Sequence, residues 1–120
     1  MNFNKEAGFS GRLPFGKRPA LIVIDVIKAY TLPDSCLYAE SYAAVVAQVV
    51  ATIDLARRHS LPVCYTNLAY DPHHYTGGWF LEKIPALKLL TTRPELAQMA
   101  EGIVPRAEEP VFTKQYASAF

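Results

Sequence analysis

The stretch Pro19-Ala20-Leu21-Ile22-Val23-Ile24-Asp25 decides how the rest of the chain is read. Its apolar residues run without alternation and end at one carboxylate. An unbroken Ala-Leu-Ile-Val-Ile run is the pattern of a parallel strand covered by helices on both sides, whereas a strand with one wet face alternates. Ligands of open α/β sheets sit beyond the carboxyl ends of the strands, which is where Asp25 falls. Two readings of Asp25 stay open here: a functional acid, or a residue that organises the turn after the strand.

Working outward, residues 1–18 read as an arm. Gly8, Gly11, Pro14 and Gly16 punctuate it, and Phe3, Phe9, Leu13 and Phe15 are apolar side chains free to dock. The folded domain is expected over 19–120. Residues 26–35 read as a loop closed by Pro33, with Ser35 a candidate helix cap. A helix is expected over 38–59, because Tyr42, Val46, Val49, Val50, Ile53 and Ala56 recur at three- and four-residue spacing. Arg57, Arg58 and His59 crowd its last turn, at the negative end of the helix dipole. Pro62 opens a second strand at 63–67, so strand, helix and strand form a right-handed βαβ unit with parallel strands. Residues 70–80 hold Asp71-Pro72, His73-His74 and Gly77-Gly78, too many breakers for regular structure, and long loops in compact domains are often functional. Short helices are expected at 84–90 and 94–100, then a turn-rich segment and a last strand, Val111-Phe112-Thr113-Lys114.

Composition narrows the function. A chain of 120 residues, 51% of them apolar, is one globular domain. A formal net charge of +1 lacks the footprint of a nucleic-acid binder or of a partner for acidic membranes. No apolar run is long enough to span a bilayer, and residues 1–18 have no signal-peptide core. Cys36 and Cys64 lie 28 residues apart with no paired spacing, which fits reduced thiols in a cytoplasmic protein. Neither G-x-G-x-x-G nor G-x-x-x-x-G-K-[ST] follows the first strand, so a nucleotide is a poor candidate and no cofactor is expected.

Three segments carry a resemblance. Gly16-Lys17-Arg18-Pro19-Ala20-Leu21-Ile22-Val23-Ile24-Asp25, Lys83-Ile84-Pro85-Ala86-Leu87 and Glu109-Pro110-Val111-Phe112-Thr113-Lys114-Gln115-Tyr116-Ala117-Ser118-Ala119-Phe120 resemble, in order, the isochorismatase-like cysteine hydrolases. The nearest branch is that of the N-carbamoylsarcosine and maleamate amidohydrolases. The resemblance implies a three-layer α-β-α, Rossmann-like parallel sheet of about six strands, with the C-terminal half of the fold beyond this chain. It implies hydrolysis of a small, non-peptide amide by an Asp-Lys-Cys triad, in which Asp25 and Lys114 match the acid and the lysine. A thiol with an ordinary pKa of about 8.5 needs a base and a nearby cation to attack at neutral pH.

In that family the cysteine lies well beyond the lysine, with an oxyanion hole of backbone N–H groups around it. This chain stops six residues after Lys114, and Cys36 and Cys64 match neither the place nor the context. The expected chain is therefore an N-terminal portion, inactive alone, with an open edge on the first strand. Its expected partners are a small amide substrate and either a second copy or the complementary C-terminal segment. The resemblance also places Tyr30, Trp79 and Phe80 in loops around the substrate pocket; packing against the arm or a neighbouring subunit is the alternative. Asp71 and His73 partly resemble the zinc site of nicotinamidases, but a zinc site needs at least three protein ligands, so no metal is expected. Other readings are a vinyl-ether hydrolase of the isochorismatase type, a non-catalytic binding module, and, for Asp25 and Lys114, a plain salt bridge.

Overall fold

Leu21–Ile24 (β1), Val63–Leu68 (β2) and Val111–Lys114 (β3) form one parallel sheet in the order β1-β2-β3. Leu21 pairs with Val63 at one end and Leu68 with Lys114 at the other, so β2 is the middle strand. The coordinates are a computed structural model that describes residues 8, 10–14, 16–73 and 76–119. Of the apolar arm residues, Phe3, Phe9 and Phe15 lie outside the described residues, and Leu13 is exposed and undocked.

The crossover from β1 to β2 contains a short helix, Lys28–Thr31 (α1), and a long one, Tyr42–Arg58 (α2). Ile53 and Ala56 of α2 are buried against Val23, Val63 and Tyr65, with Val46, Val49 and Val50 packed alongside. These are the positions that the helical periodicity marks. The helix begins at Tyr42, later than the spacing suggests. Tyr42 stacks on Tyr30, ring centroids 5.5 Å apart, and the amide of Ala39 binds the Tyr30 carbonyl, so residues 38–41 are folded back onto α1 as turns. Ser35 caps no helix; its hydroxyl accepts the Leu37 amide in a local turn. At the other end Ser60 is left-handed (φ 54), the Leu61 amide reaches the Ala56 carbonyl and the Ser60 amide that of Arg57. This paired closure of a helix end leaves Pro62 free to turn the chain into β2.

After β2 the irregular segment is shorter than its breakers suggest. Gly77 adopts φ 86, a left-handed conformation, and the chain immediately enters the helix Gly78–Lys83 (α3). A β-carbon on Gly77 would come within 2.6 Å of the Leu81 side chain and 2.9 Å of the Tyr70 ring, so only glycine fits this close approach. A 3₁₀ turn at Pro85–Lys88 leads into Leu89–Thr92 (α4), and a second 3₁₀ turn at Pro94–Ala97 ends earlier than the expected helix. Residues 98–100 then run beside the exit from β1: Ile27 bridges Met99, the Lys28 amide binds the Gln98 carbonyl, and the Ala100 amide binds that of Val26. A second apolar cluster, including Ile27, Leu68, Tyr70, Leu81, Leu90 and Leu96, fills the space under these turns.

The unbroken apolar run of β1 suggests burial on both faces. Val23 is buried under α2, but Ile22 and Ile24 remain 57% and 64% exposed. Among the described residues helices cover one face of the sheet, and the Ile22–Ile24 face stands open.

Candidate active site

Asp25 follows β1 directly and adopts a left-handed backbone (φ 54). Aspartate is one of the few non-glycine residues that tolerate this region. The turn is held from both sides: the Asp25 amide binds the Thr66 carbonyl at 3.1 Å, and the Ile27 amide binds the Asp25 carbonyl at 3.0 Å. The strained turn aims the carboxylate back over the sheet end, where two side chains meet it. Lys114 Nζ lies 2.7 Å from Asp25 Oδ2, and Thr66 Oγ1 donates to Asp25 Oδ1 at 2.7 Å. The Thr66 hydroxyl in turn accepts from the Asp25 amide at 3.2 Å.

The sheet order explains why a lysine is needed. β1 and β3 are separated by β2, a span of about 10 Å at ordinary strand spacing. Only a long side chain at the end of β3 reaches an acid at the end of β1. Lys114 is buried, and its ammonium also donates to the carbonyls of Tyr116 and Ala117, each at 3.1 Å. An ammonium has three N–H donors, so all three are matched. The expected proximity of Asp25 and Lys114 is thus present in the structure.

Two tyrosines stand in the field of Asp25. The Tyr30 phenol is pushed up from its ordinary pKa by burial, then by Asp25 and Tyr42. Tyr70 is pushed up to about 12, mainly by burial, with Tyr30 and Asp25 adding to it. Both are neutral hydroxyls at neutral pH, and the buried Tyr70 hydroxyl has no hydrogen-bond partner among the described residues. Of the other aromatic candidates, Phe80 packs against the cluster under the turns, and Trp79 is 88% exposed in the first turn of α3.

An open concavity of about 380 Å³ lies against the bare sheet face, lined by Ile22, Ile24, Cys64, Thr66, Phe112 and Lys114 with residues 117–119. Cys64 sits one pleat before Thr66 on β2, about 7 Å along the strand, and its thiol leans toward the Leu21 carbonyl at 3.8 Å. Cys36 is exposed in the loop after α1. In the Asp71 loop, one carboxylate oxygen accepts the His73 amide and the other accepts the amide and hydroxyl of Thr76. This carboxylate organises the backbone of its own turn, as aspartate commonly does. His74 lies outside the described residues, and among those described no group of three His, Cys, Asp or Glu residues is placed to hold a metal ion.

Thr66 and Tyr70 are absent from a reading of the sequence alone. Thr66 carried no local signal, because only the strand register sets it opposite Ile24 at the end of β1.

These features find counterparts among known proteins. The Isochorismatase domain family matches residues 19–120. The chain is 39% identical over 118 residues to maleamate amidohydrolase of Pseudomonas putida, covering 98% of this chain and 55% of that protein. It is 32% identical to N-carbamoylsarcosine amidase of an Arthrobacter species, covering 96% of this chain and 45% of that one. In fold it resembles a cysteine hydrolase from Pseudomonas syringae pv. phaseolicola, with a TM-score of 0.80 at 23% identity over 91% of this chain and 52% of the other. The chain thus spans about half the length of the curated relatives it matches. Among the described residues, no helix is long and apolar enough to cross a membrane. With a parallel sheet of the same architecture and a family match over nearly all of its folded length, the chain belongs to the isochorismatase family.

Proposed function

We propose that this chain supplies the acid and the lysine of an Asp-Lys-Cys triad that hydrolyses a small, non-peptide amide. The observation that carries the reading is the Asp25–Lys114 contact of 2.7 Å at the carboxyl ends of a parallel sheet, made across an intervening strand. Asp25 accepts the proton of a cysteine thiol, and the positive charge of Lys114 favours the thiolate. The thiolate adds to the amide carbonyl, and collapse of the adduct expels the amine, which takes the proton back from Asp25 and leaves as ammonia. Water then cleaves the thioester to the acid and restores the thiol. The relatives named for maleamate and carbamoylsarcosine support a substrate of this size and class. Cys36 lies in the loop after α1 and Cys64 within β2, and the proposed scheme takes its nucleophile from neither.

The test is ammonia release from maleamate and from N-carbamoylsarcosine. The chain fused after residue 120 to the part of the Pseudomonas putida maleamate amidohydrolase outside the matched region should turn over one of them. The 120-residue chain alone should release none. Turnover by that chain, removed by Cys36→Ala or Cys64→Ala, would place the nucleophile within it and overturn the assignment.

Thr66 acts in this scheme as a positioning residue. Thr66→Val removes the hydroxyl that fixes Asp25 Oδ1, a loss of about 1.4 kcal/mol or roughly ten-fold in kcat. KM should be unchanged, and Thr66→Ser should retain most of the rate. A Thr66→Val enzyme that raises KM instead would place the hydroxyl on the substrate.

A further inference from the structure

Tyr70 lies just beyond β2 and is only 7% exposed, yet its hydroxyl has no hydrogen-bond partner among the described residues. A buried hydroxyl left unpaired carries a desolvation cost, so one that persists points to a partner of another kind. The ring is clamped. It packs in one buried cluster with Ile27 and Leu81, and a β-carbon on Gly77 would stand 2.9 Å from its edge. The hydroxyl therefore stays where this packing holds it, and a partner must come to it. The ionisable groups whose charge reaches it are Tyr30 first and Asp25 second, which sets it at the Asp25 end of the sheet. The other donors described at that end are already engaged. Lys114 gives its N–H bonds to Asp25, Tyr116 and Ala117, the Thr66 hydroxyl donates to Asp25, and the Asp25 and Ile27 amides bind backbone carbonyls. Tyr30 packs against the same cluster but is partly exposed, so it is the neighbour with room to turn aside for a ligand.

We infer that the Tyr70 hydroxyl binds the substrate, donating a hydrogen bond to a carbonyl or carboxylate oxygen of the small amide. This rests on the proposed amide hydrolysis and adds to it a residue that determines specificity. A neutral phenol holds such an oxygen without adding a charge beside the Asp25–Lys114 pair. It also selects: a compound that lacks the matching oxygen leaves the buried hydroxyl unpaired again and is rejected.

The experiment measures, by calorimetry on the fused enzyme, the binding of maleate, the dicarboxylate left by maleamate hydrolysis, and of N-carbamoylsarcosine. Tyr70→Phe keeps the ring and removes only the oxygen. It should raise the Kd of whichever compound binds by at least ~10-fold, and in turnover KM should rise by more than kcat falls. The thermal midpoint of the unliganded variant should not drop, because the oxygen removed has no protein partner. An unchanged Kd would overturn the inference, and a lowered midpoint beside it would show that the hydroxyl serves the fold. An unsubstituted enzyme that binds neither compound would overturn the substrate class and this inference together. Binding needs no turnover, and ammonia release by Asp25→Asn, measured alongside, reports on the triad alone, so the two failures are told apart.

Discussion

Lys114→Met should lower kcat/KM of the fused enzyme by at least ~10³-fold, the range expected when a charged member of a proton-transfer set is lost. Asp25→Asn should do the same. In the proposed scheme the two act as one unit, so the double variant should be little worse than either single one. Stability supplies a second readout. Lys114 and Asp25 meet in a largely buried contact at 2.7 Å. Removing one partner leaves the other charge unpaired, a cost of about 3 kcal/mol, whereas removing both is far milder. The expected pattern in denaturant titrations is therefore two destabilised single variants and a partly restored double. Full additivity in both activity and stability would show that the two charges do not work together.

A comparable loss of stability is expected at the opposite end of the sheet. Glu109, just before β3, accepts two hydrogen bonds from Arg57 of α2, at 2.8 and 2.7 Å. It also accepts the Tyr65 hydroxyl at 2.9 Å and the Arg106 amide at 2.9 Å. Arg57 adds a bond to the Val104 carbonyl, so one ion pair fastens helix, middle strand and the turn into β3. With its side chain 6% exposed, Glu109 is held down from its ordinary pKa of 4.5 to about 2, chiefly by the Arg57 hydrogen bond, against the opposing effect of burial. Tyr65 is pushed up to about 12, first by burial and then by its bond to Glu109. Because the folded-state pKa of Glu109 lies below the unfolded one, its stabilisation is complete above about pH 4.5. It is lost as the pH falls toward about 2, and amounts to about 3 kcal/mol. Glu109→Gln should therefore destabilise the fused enzyme by about 3 kcal/mol at neutral pH and flatten its acid unfolding between pH 4.5 and 2. An unchanged acid limb in that variant would rule the pair out as the source.

The parts of this structure that sequence made legible are those fixed by local pattern. The β1 run, the α2 stripe and the two strands that end near Asp25 and at Lys114 depend on periodicity and position alone, whereas the pairing of those two residues came from the resemblance. What escaped depends on partners distant in sequence. Thr66 matters because β2 lies between the other two strands, which no spacing within β2 reveals. Glu109 stood in a recognisable segment without a role, and Arg57 read as one of three cations serving the helix dipole. Only the fold shows that it reaches across to the acid. The Gly77-Gly78 pair read as a loop signal because glycine weakens helices, whereas here it ends the loop by supplying the left-handed turn into α3. Ile22 and Ile24 read as interior because a parallel strand is ordinarily sandwiched, and in these residues only one layer is in place.

The ammonium of Lys114 has one further implication. With Asp25, Tyr116 and Ala117 each accepting one of its N–H bonds, it is a tripod with no spare leg. It acts on its surroundings through its field and not by reaching out to a new ligand. The same three bonds tie the path of the chain beyond β3 to the charge at the sheet end. A guanidinium spreads its donors over a plane whereas an ammonium gathers three at one atom, so the single point on which these bonds converge suits a lysine.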